Sequence, residues 1–180
     1  MTAGSTTRLP ELRVRHACVE DLEAVTALER VCFPPAEAAD RESFAGRLRV
    51  YPECFWLLEE ENGRLLSFVD GFATDEPDLT DEMYARPEMH QPAGKWQMIF
   101  GVNTHPDYRG RGCATRLLRA AIDEARARGR AGVVLTCKPE KRSFYARLGF
   151  ADEGVSPLST HGGAVWHQMR LRFAGEETDG

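Results

Sequence analysis

Residues 98–115 constrain most strongly what this chain can fold into. An apolar stretch, Met98-Ile99-Phe100-Gly101-Val102, leads through Tyr108-Arg109-Gly110-Arg111-Gly112-Cys113-Ala114-Thr115 into an amphipathic helix. A strand that turns through glycines into a helix N-terminus gathers backbone N–H groups without intrahelical partners around one point. The positive end of the helix dipole stands behind them, and phosphate is the anion such a site suits. Gly110 and Gly112 let the backbone approach that anion with no Cβ in the way. Ala114, Leu117, Leu118, Ala121, Ile122 and Ala125 then recur at steps of three and four, with Arg116, Arg119, Asp123, Glu124, Arg126 and Arg128 opposite and Gly129 as a stop. The two glycines alone fit a plain strand-to-helix turn of any α/β protein equally well. Their spacing is neither a P-loop, which needs Lys-Ser/Thr after its last glycine, nor G-x-G-x-x-G.

The rest of the chain reads as β-α-α-β-β-β-α-β-α-β-β. Leu12 to His16 is an edge strand. Asp21 to Cys32 is a helix with Leu22, Val25, Leu28 and Cys32 inward, stopped by Phe33-Pro34-Pro35. Asp40 to Val50 is a second helix, with Phe44 and Leu48 inward. Phe55 to Thr74 reads as a hairpin around Asn62-Gly63. Lys95 to Val102 is the central strand, and Gly132 to Cys137 a buried one. Arg142 to Leu148 is a short helix, and strands near Phe150 to Val155 and Val165 to Phe173 close the sheet. The expected unit is one domain over 8–174, with flexible tails at 1–7 and 175–180.

Composition narrows the class. A chain of 180 residues, 42% hydrophobic and 28% charged, can bury a core without disulfides or metal. No apolar run reaches the length of a membrane span, and Met1 to Thr7 lacks the features of a signal peptide. The five cysteines, Cys18, Cys32, Cys54, Cys113 and Cys137, are scattered and form no C-x-x-C, as reduced thiols of a cytoplasmic protein would be. Cys113 sits at a helix N-terminus, which can lower a thiol pKa, although a small residue that fits the turn explains it as well. The formal charge of −5 argues against nucleic acid and suits cationic amines. No cluster has metal-ligand spacing, so no metal is expected.

The turn also fits Arg/Gln-x-x-Gly-x-Gly/Ala, as Arg109-Gly110-Arg111-Gly112-Cys113-Ala114, preceded by Val102-Asn103-Thr104-His105-Pro106-Asp107-Tyr108. This closely resembles the acetyl-CoA pyrophosphate loop of the GNAT superfamily of N-acetyltransferases. Ser143-Phe144-Tyr145-Ala146-Arg147-Leu148-Gly149-Phe150 resembles the superfamily's later F-Y-x-x-x-G-F segment, after the strand Val133-Val134-Leu135-Thr136-Cys137. The hairpin, the stretch Asp78-Leu79-Thr80-Asp81-Glu82 and Pro92-Ala93-Gly94 add a weaker likeness to the arylalkylamine (serotonin) N-acetyltransferase branch, from about Val14 to Phe173. The resemblance implies an α/β (α+β) fold: a mixed, mostly antiparallel sheet of about seven strands with a splayed central pair, flanked by about four helices. It implies acetyl-CoA as co-substrate. The main-chain groups of Val102 and Thr104 would hold the pantetheine, with Asn103 between them also counted as cofactor-binding, and Gly110, Arg111, Gly112, Cys113, Ala114 and Thr115 the pyrophosphate. Arg109 and Arg111 either add charge to phosphate or are solvated surface arginines.

Acetyl transfer needs a neutral amine, an aligned approach to the thioester and a proton for the departing thiolate. By the resemblance Tyr145 is the general acid; a core tyrosine before Gly149-Phe150 is the plainer alternative. The branch carries two histidines on the central strand as proton shuttles, and the matching positions here are Met98 and Phe100, which cannot titrate. Asp70, His90 and His161 are the candidate replacements, each also explicable as a hairpin, loop or core-network residue, and bulk water is a further route. Glu82 and Glu88 can attract a cationic amine or be solvated loop carboxylates. Trp96, Trp166, Phe68, Phe72 and Tyr84 can line an acceptor pocket or fill the core. The reading is direct acetyl transfer to a primary amine of a small molecule by a monomer or homodimer. An acyl-CoA sensor without chemistry and a protein-directed acetyltransferase are the alternatives; retention of Tyr145 opposes the first, and the insertion from Asp75 to Ala93, able to cover the site, opposes the second.

Overall fold

The computed structural model describes residues 11–174. The tails expected at 1–7 and 175–180 lie outside them. Seven strands form one sheet in the order β1-β2-β3-β4-β5-β7-β6. They are β1 (Leu12–His16), β2 (Phe55–Glu60), β3 (Leu65–Thr74), β4 (Trp96–Thr104), β5 (Gly132–Cys137), β6 (Ala151–Val155) and β7 (His167–Arg172). Every pairing is antiparallel except β4 with β5.

Five α-helices flank the sheet: α1 (Leu22–Cys32), α2 (Arg41–Val50), α3 (Asp81–Ala85), α4 (Cys113–Ala127) and α5 (Arg142–Arg147). Asp40 caps α2 by accepting from the Ser43 amide at 2.8 Å. Of the apolar stripe of α4, Leu117, Leu118, Ala121, Ile122 and Ala125 are buried, and Ala114 at its start is half-buried. Strand alternation sends Phe55 and Phe68 against Phe44 of α2, with ring centroids 6.3 and 5.9 Å from it. Trp56 points the other way, and its Nε1 donates to Glu124 of α4 at 2.9 Å. The helix α3 has no counterpart in the sequence reading, because five residues are too few to show a period. It belongs to the insertion between β3 and β4 and is tied to the segment before β7, where the Asp81 amide donates to the Leu158 carbonyl at 3.0 Å. Among the described residues no helix is long and apolar enough to cross a membrane.

Two irregularities of β4 make the site. Asp70 of β3 faces Gly101, but Gly71 faces Ile99, so Phe100 is an extra residue and β4 bulges there. On its other side β4 pairs with β5 only from Trp96 to Ile99. Beyond Ile99 the two strands part, leaving one edge of Phe100 to Thr104 without a strand partner. That is the splayed pair the resemblance implied.

Candidate active site

A cavity of about 670 Å³ opens in this splay. Val102 and Thr104 line it from the free edge of β4, Leu135 to Cys137 from β5, and Tyr145 from α5. At one end stands the turn before α4. Gly110 and Gly112 have φ of +76° and +79°, and a Cβ at either position would meet nothing within 4 Å. Glycine is used here for a left-handed backbone and for open space, not for packing. Gly112 is the N-cap of α4, so the amides of Cys113, Ala114 and Thr115 have no intrahelical acceptor, and all three residues line the cavity.

Two of the residues expected in the cofactor site, Arg111 and Asn103, do not face this cavity. Arg111 does not line the cavity; its guanidinium lies over the Tyr108 ring, 5.3 Å from the centroid. Arg109 does line it, with Nε donating to the Thr104 carbonyl at 3.3 Å. Asn103 is fully buried and absent from the cavity wall, its side chain turned toward Glu29 instead. The Cys113 thiol is not activated: burial pushes it above its ordinary pKa despite the helix terminus, with Arg111 opposing.

Tyr145 packs edge-on against Phe144 and Phe150, with centroids 5.0 and 6.0 Å away. Its hydroxyl has no protein partner among the described residues, and burial pushes the phenol above its ordinary pKa. Met98 is fully buried, while Phe100 lines the cavity with its ring 4.7 Å from that of Tyr84. Neither β4 position therefore brings a titratable group to the site.

The other end of the cavity is polar. A Cβ on Gly101 would lie 2.9 Å from Asp70 Oδ1, 3.1 Å from Asn103 Nδ2 and 3.9 Å from Glu29 Oε1. Arg47, fully buried on the apolar stripe of α2, donates to Asp70 Oδ2 at 2.9 Å and to the Tyr84 carbonyl at 3.0 Å. It thereby joins α2, the bulge and the insertion. Burial, then the neighbouring Asp70, push the Glu29 carboxyl up to about 8, and burial lifts Asp70 as well. Glu29 and Arg47 escaped the sequence reading. The signal was there in each helix, a charged residue on or beside the inward stripe, but a heptad-like count alone does not separate a snorkelling side chain from a buried one.

Glu29 yields a stability prediction with a definite sign. Its folded pKa lies above the ordinary 4.5, so its contribution is full below about pH 4.5 and is lost as the pH rises to about 8. The native protein should lose stability across that window, and Glu29→Gln should flatten the loss, leaving the part due to the raised Asp70 carboxyl. Urea midpoints at several pH values check this, and an unchanged slope in the Gln variant contradicts the burial of an ionisable Glu29.

Of the three candidate bases, the structure brings Asp70 and His161 to the cavity and leaves His90 out of it. His90 Nδ1 accepts from the Ala73 amide at 3.1 Å, and its ring packs on Tyr51 and Phe72. Glu53, Cys54 and His90 do bring three metal-ligating atoms within 4.8 Å of one another. Because Nδ1 already accepts an N–H, the neutral ring presents its own N–H at Nε2 toward Glu53, 3.4 Å away, and no lone pair remains for an ion. His161 lies on the turn before β7, with Nδ1 3.0 Å from Asp81. Glu82 and Glu88 are both paired with Arg86 at the surface. Of the aromatic candidates Tyr84 and Trp166 line the cavity, whereas Phe68, Phe72 and Trp96 are core.

With fold and cavity in place, comparison with known proteins fixes the class. The model of the acetyltransferase (GNAT) family matches residues 22–150, and the chain belongs to that family. It is 43% identical over 47 residues to glucosamine 6-phosphate N-acetyltransferase 1 of Oryza sativa subsp. japonica, covering 26% of this chain and 28% of the relative. It is 45% identical over 60 residues to an uncharacterized N-acetyltransferase of Methanocaldococcus jannaschii, covering 32% of this chain and 26% of the relative. The matches thus span little more than a quarter of those relatives. Among solved structures, the loading GNATL domain of CurA from Lyngbya majuscula superposes with a TM-score of 0.77 at 20% identity, over 90% of this chain and 98% of that one. The ribosomal-protein-S18-alanine N-acetyltransferase of Escherichia coli gives 0.68 at 20% identity, over 93% and 98%. At such identities the likeness is one of fold.

Proposed function

We propose that this chain is an acetyl-CoA-dependent N-acetyltransferase that passes the acetyl group directly to a primary amine of a small molecule. The observation that carries this reading is the meeting, in one cavity, of three features: the free edge of β4, the left-handed Gly110/Gly112 turn at the start of α4, and Tyr145. The amides of Val102 and Thr104 on that edge suit the amide-bearing pantetheine arm. The turn suits pyrophosphate through backbone N–H groups and the helix dipole, helped by Arg109. Further support comes from a solved relative, a putative acetyltransferase of Salmonella typhimurium with acetyl-CoA as its cofactor, with a TM-score of 0.66 at 17% identity.

Tyr145 supplies the proton to the departing sulfur. A buried phenol stays protonated until a strongly basic thiolate develops beside it, which is the behaviour this step needs. The docked insertion supports a small acceptor rather than a polypeptide, because its Tyr84, bonded through its carbonyl to Arg47, forms part of the cavity wall. The aromatic wall of Phe100, Tyr84 and Trp166, together with the resemblance to the arylalkylamine branch, favours an amine on a short chain that ends in an apolar group. Five unpaired thiols suit the reducing cytoplasm.

A ligand at a hundredfold excess over its Kd stabilises by about 2.7 kcal/mol, or roughly 5–10 °C in Tm for a domain of this size. Acetyl-CoA should give such a shift, and NAD and ATP should not. Gly112→Val should remove it, because the branched side chain fills the phosphate position and the left-handed backbone resists it. A Val variant that melts cooperatively and still shows the full shift contradicts the assignment of the turn.

A further inference from the structure

We propose that Asp81 and His161 act as a pair, His161 Nε2 taking the proton of the incoming ammonium and Asp81 serving as the positioning residue. The proposal rests on the acetyltransferase reading above. Asp81 opens α3, in the insertion, and His161 lies on the turn before β7, so the pair is assembled only when the insertion is docked.

The geometry fixes the tautomer. Asp81 Oδ1 lies 3.0 Å from His161 Nδ1. An ionised carboxylate only accepts, so Nδ1 carries the hydrogen and the neutral ring keeps its lone pair on Nε2. Nε2 has no protein partner among the described residues, and His161 lines the cavity. Asp81 is itself held: Oδ2 accepts from the Thr160 amide at 2.9 Å and from the Thr160 hydroxyl at 3.1 Å. Against its partial burial, these bonds and His161 keep the carboxyl below its ordinary pKa. The ring cannot swing away. It stacks on Trp166 with centroids 4.1 Å apart and planes at 22°, and Tyr84 covers it at 4.7 Å. Trp166 Nε1 in turn donates to the His161 carbonyl at 3.0 Å.

The remaining charges around His161 do not compete for the proton. Lys138 lies over Trp166 at 5.9 Å and is paired with Glu37 at 2.8 Å. Glu37 packs beneath Gly162, where a Cβ would come within 2.5 Å of its Cγ. Elsewhere in the cavity Asp70 is engaged by Arg47, and Glu29 holds its own proton through the neutral range.

The ammonium gives one proton to Nε2, and Asp81 stabilises the imidazolium. The neutral nitrogen forms a bond to the thioester carbonyl carbon, the C–S bond breaks, and its electron pair leaves on sulfur, which takes a proton from Tyr145. The surplus proton on the new amide nitrogen restores the phenol, and His161 releases its proton to water. An ammonium and a thioester become an acetamide, a thiol and one proton.

The test combines ring spectroscopy with kinetics on the full chain. In ¹⁵N-histidine-labelled protein, His161 should show the Nδ1–H tautomer. In Asp81→Asn, which keeps an acceptor for Thr160, the amide can donate to Nδ1 and shift the ring toward Nε2–H. The kcat/KM for an ordinary alkylamine should fall about 10²-fold or more in Asp81→Asn and in His161→Gln, on the acid limb of the profile. The loss should shrink at least tenfold for an amine of low pKa, already neutral at the assay pH. Adding Asp81→Asn to His161→Gln should cost almost nothing more. An Nε2–H ring in the unmodified protein, equal losses for both amines, or additive losses would overturn the pairing while leaving acetyl transfer intact. Absence of turnover with every amine would overturn the acetyltransferase reading, and the base role with it.

Discussion

Tyr145→Phe is expected to fold, melt and bind acetyl-CoA as the unmodified protein does, and to turn over roughly 10²-fold more slowly or worse. The phenylalanine keeps the edge-on contacts with Phe144 and Phe150 that hold the ring. The hydroxyl it removes has no protein partner among the described residues, so its loss orphans no buried group. In the proposed role, what disappears is the proton for the leaving thiolate. The deficit should therefore appear in kcat as well as kcat/KM where chemistry limits turnover. It should diminish for an acyl donor whose thiol is more acidic, since that thiolate needs less help. Steady-state rates with two acyl donors, alongside acetyl-CoA binding, measure all of this. Unchanged turnover with chemistry rate-limiting would leave Tyr145 as a packing residue.

The second large effect falls on stability. Gly71→Ala puts a Cβ 1.7 Å from the Met98 carbonyl oxygen and 2.7 Å from its carbon, atoms of the paired strand and not of a flexible side chain. The strand β4 cannot step back, since beyond Gly71 it is bonded to β5 on its far side. The bulge at the polar end of the cavity depends on this close approach. A loss above about 4 kcal/mol follows, a large part of the total stability of an ordinary domain. That is roughly 8–16 °C in Tm for a chain of this size. Gly110→Ala is the comparison: it meets nothing within 4 Å and bears only its left-handed φ, a cost of about 1–2 kcal/mol. Thermal denaturation of both variants checks the contrast, and a Gly71→Ala protein that melts within a degree or two of the original contradicts the bulge.

These two residues differ in how they could be read from sequence. Tyr145 stood out because a motif surrounds it, and the α4 stripe and the Asn62-Gly63 hairpin because period and turn chemistry are local properties. Gly71 offered no such sign. A bulge inserts one residue into one strand, and the partner that forces the glycine lies 27 positions away. The polar end of the cavity was hidden for a related reason. Arg47 is buried because Asp70 and the Tyr84 carbonyl receive it, contacts between three elements that no single stretch announces. His90 and His161 were equal candidates as residue types. Only the folded chain distinguishes a ring locked onto the Ala73 amide from one set against Asp81 in the cavity wall.

The central claim, transfer of acetyl from acetyl-CoA to a small amine, is tested most directly by amine-dependent thiol release. The purified chain would be incubated with acetyl-CoA and a panel of arylalkylamines, polyamines, amino acids and aminoglycosides, with each product identified by mass spectrometry. At least one amine should accelerate thiol release well above the hydrolytic background, with the matching acetamide formed in equal amount and the acceleration lost in Tyr145→Phe. Acetyl-CoA bound tightly, with thiol release at background for every amine, would contradict it and leave a cofactor-binding module without chemistry.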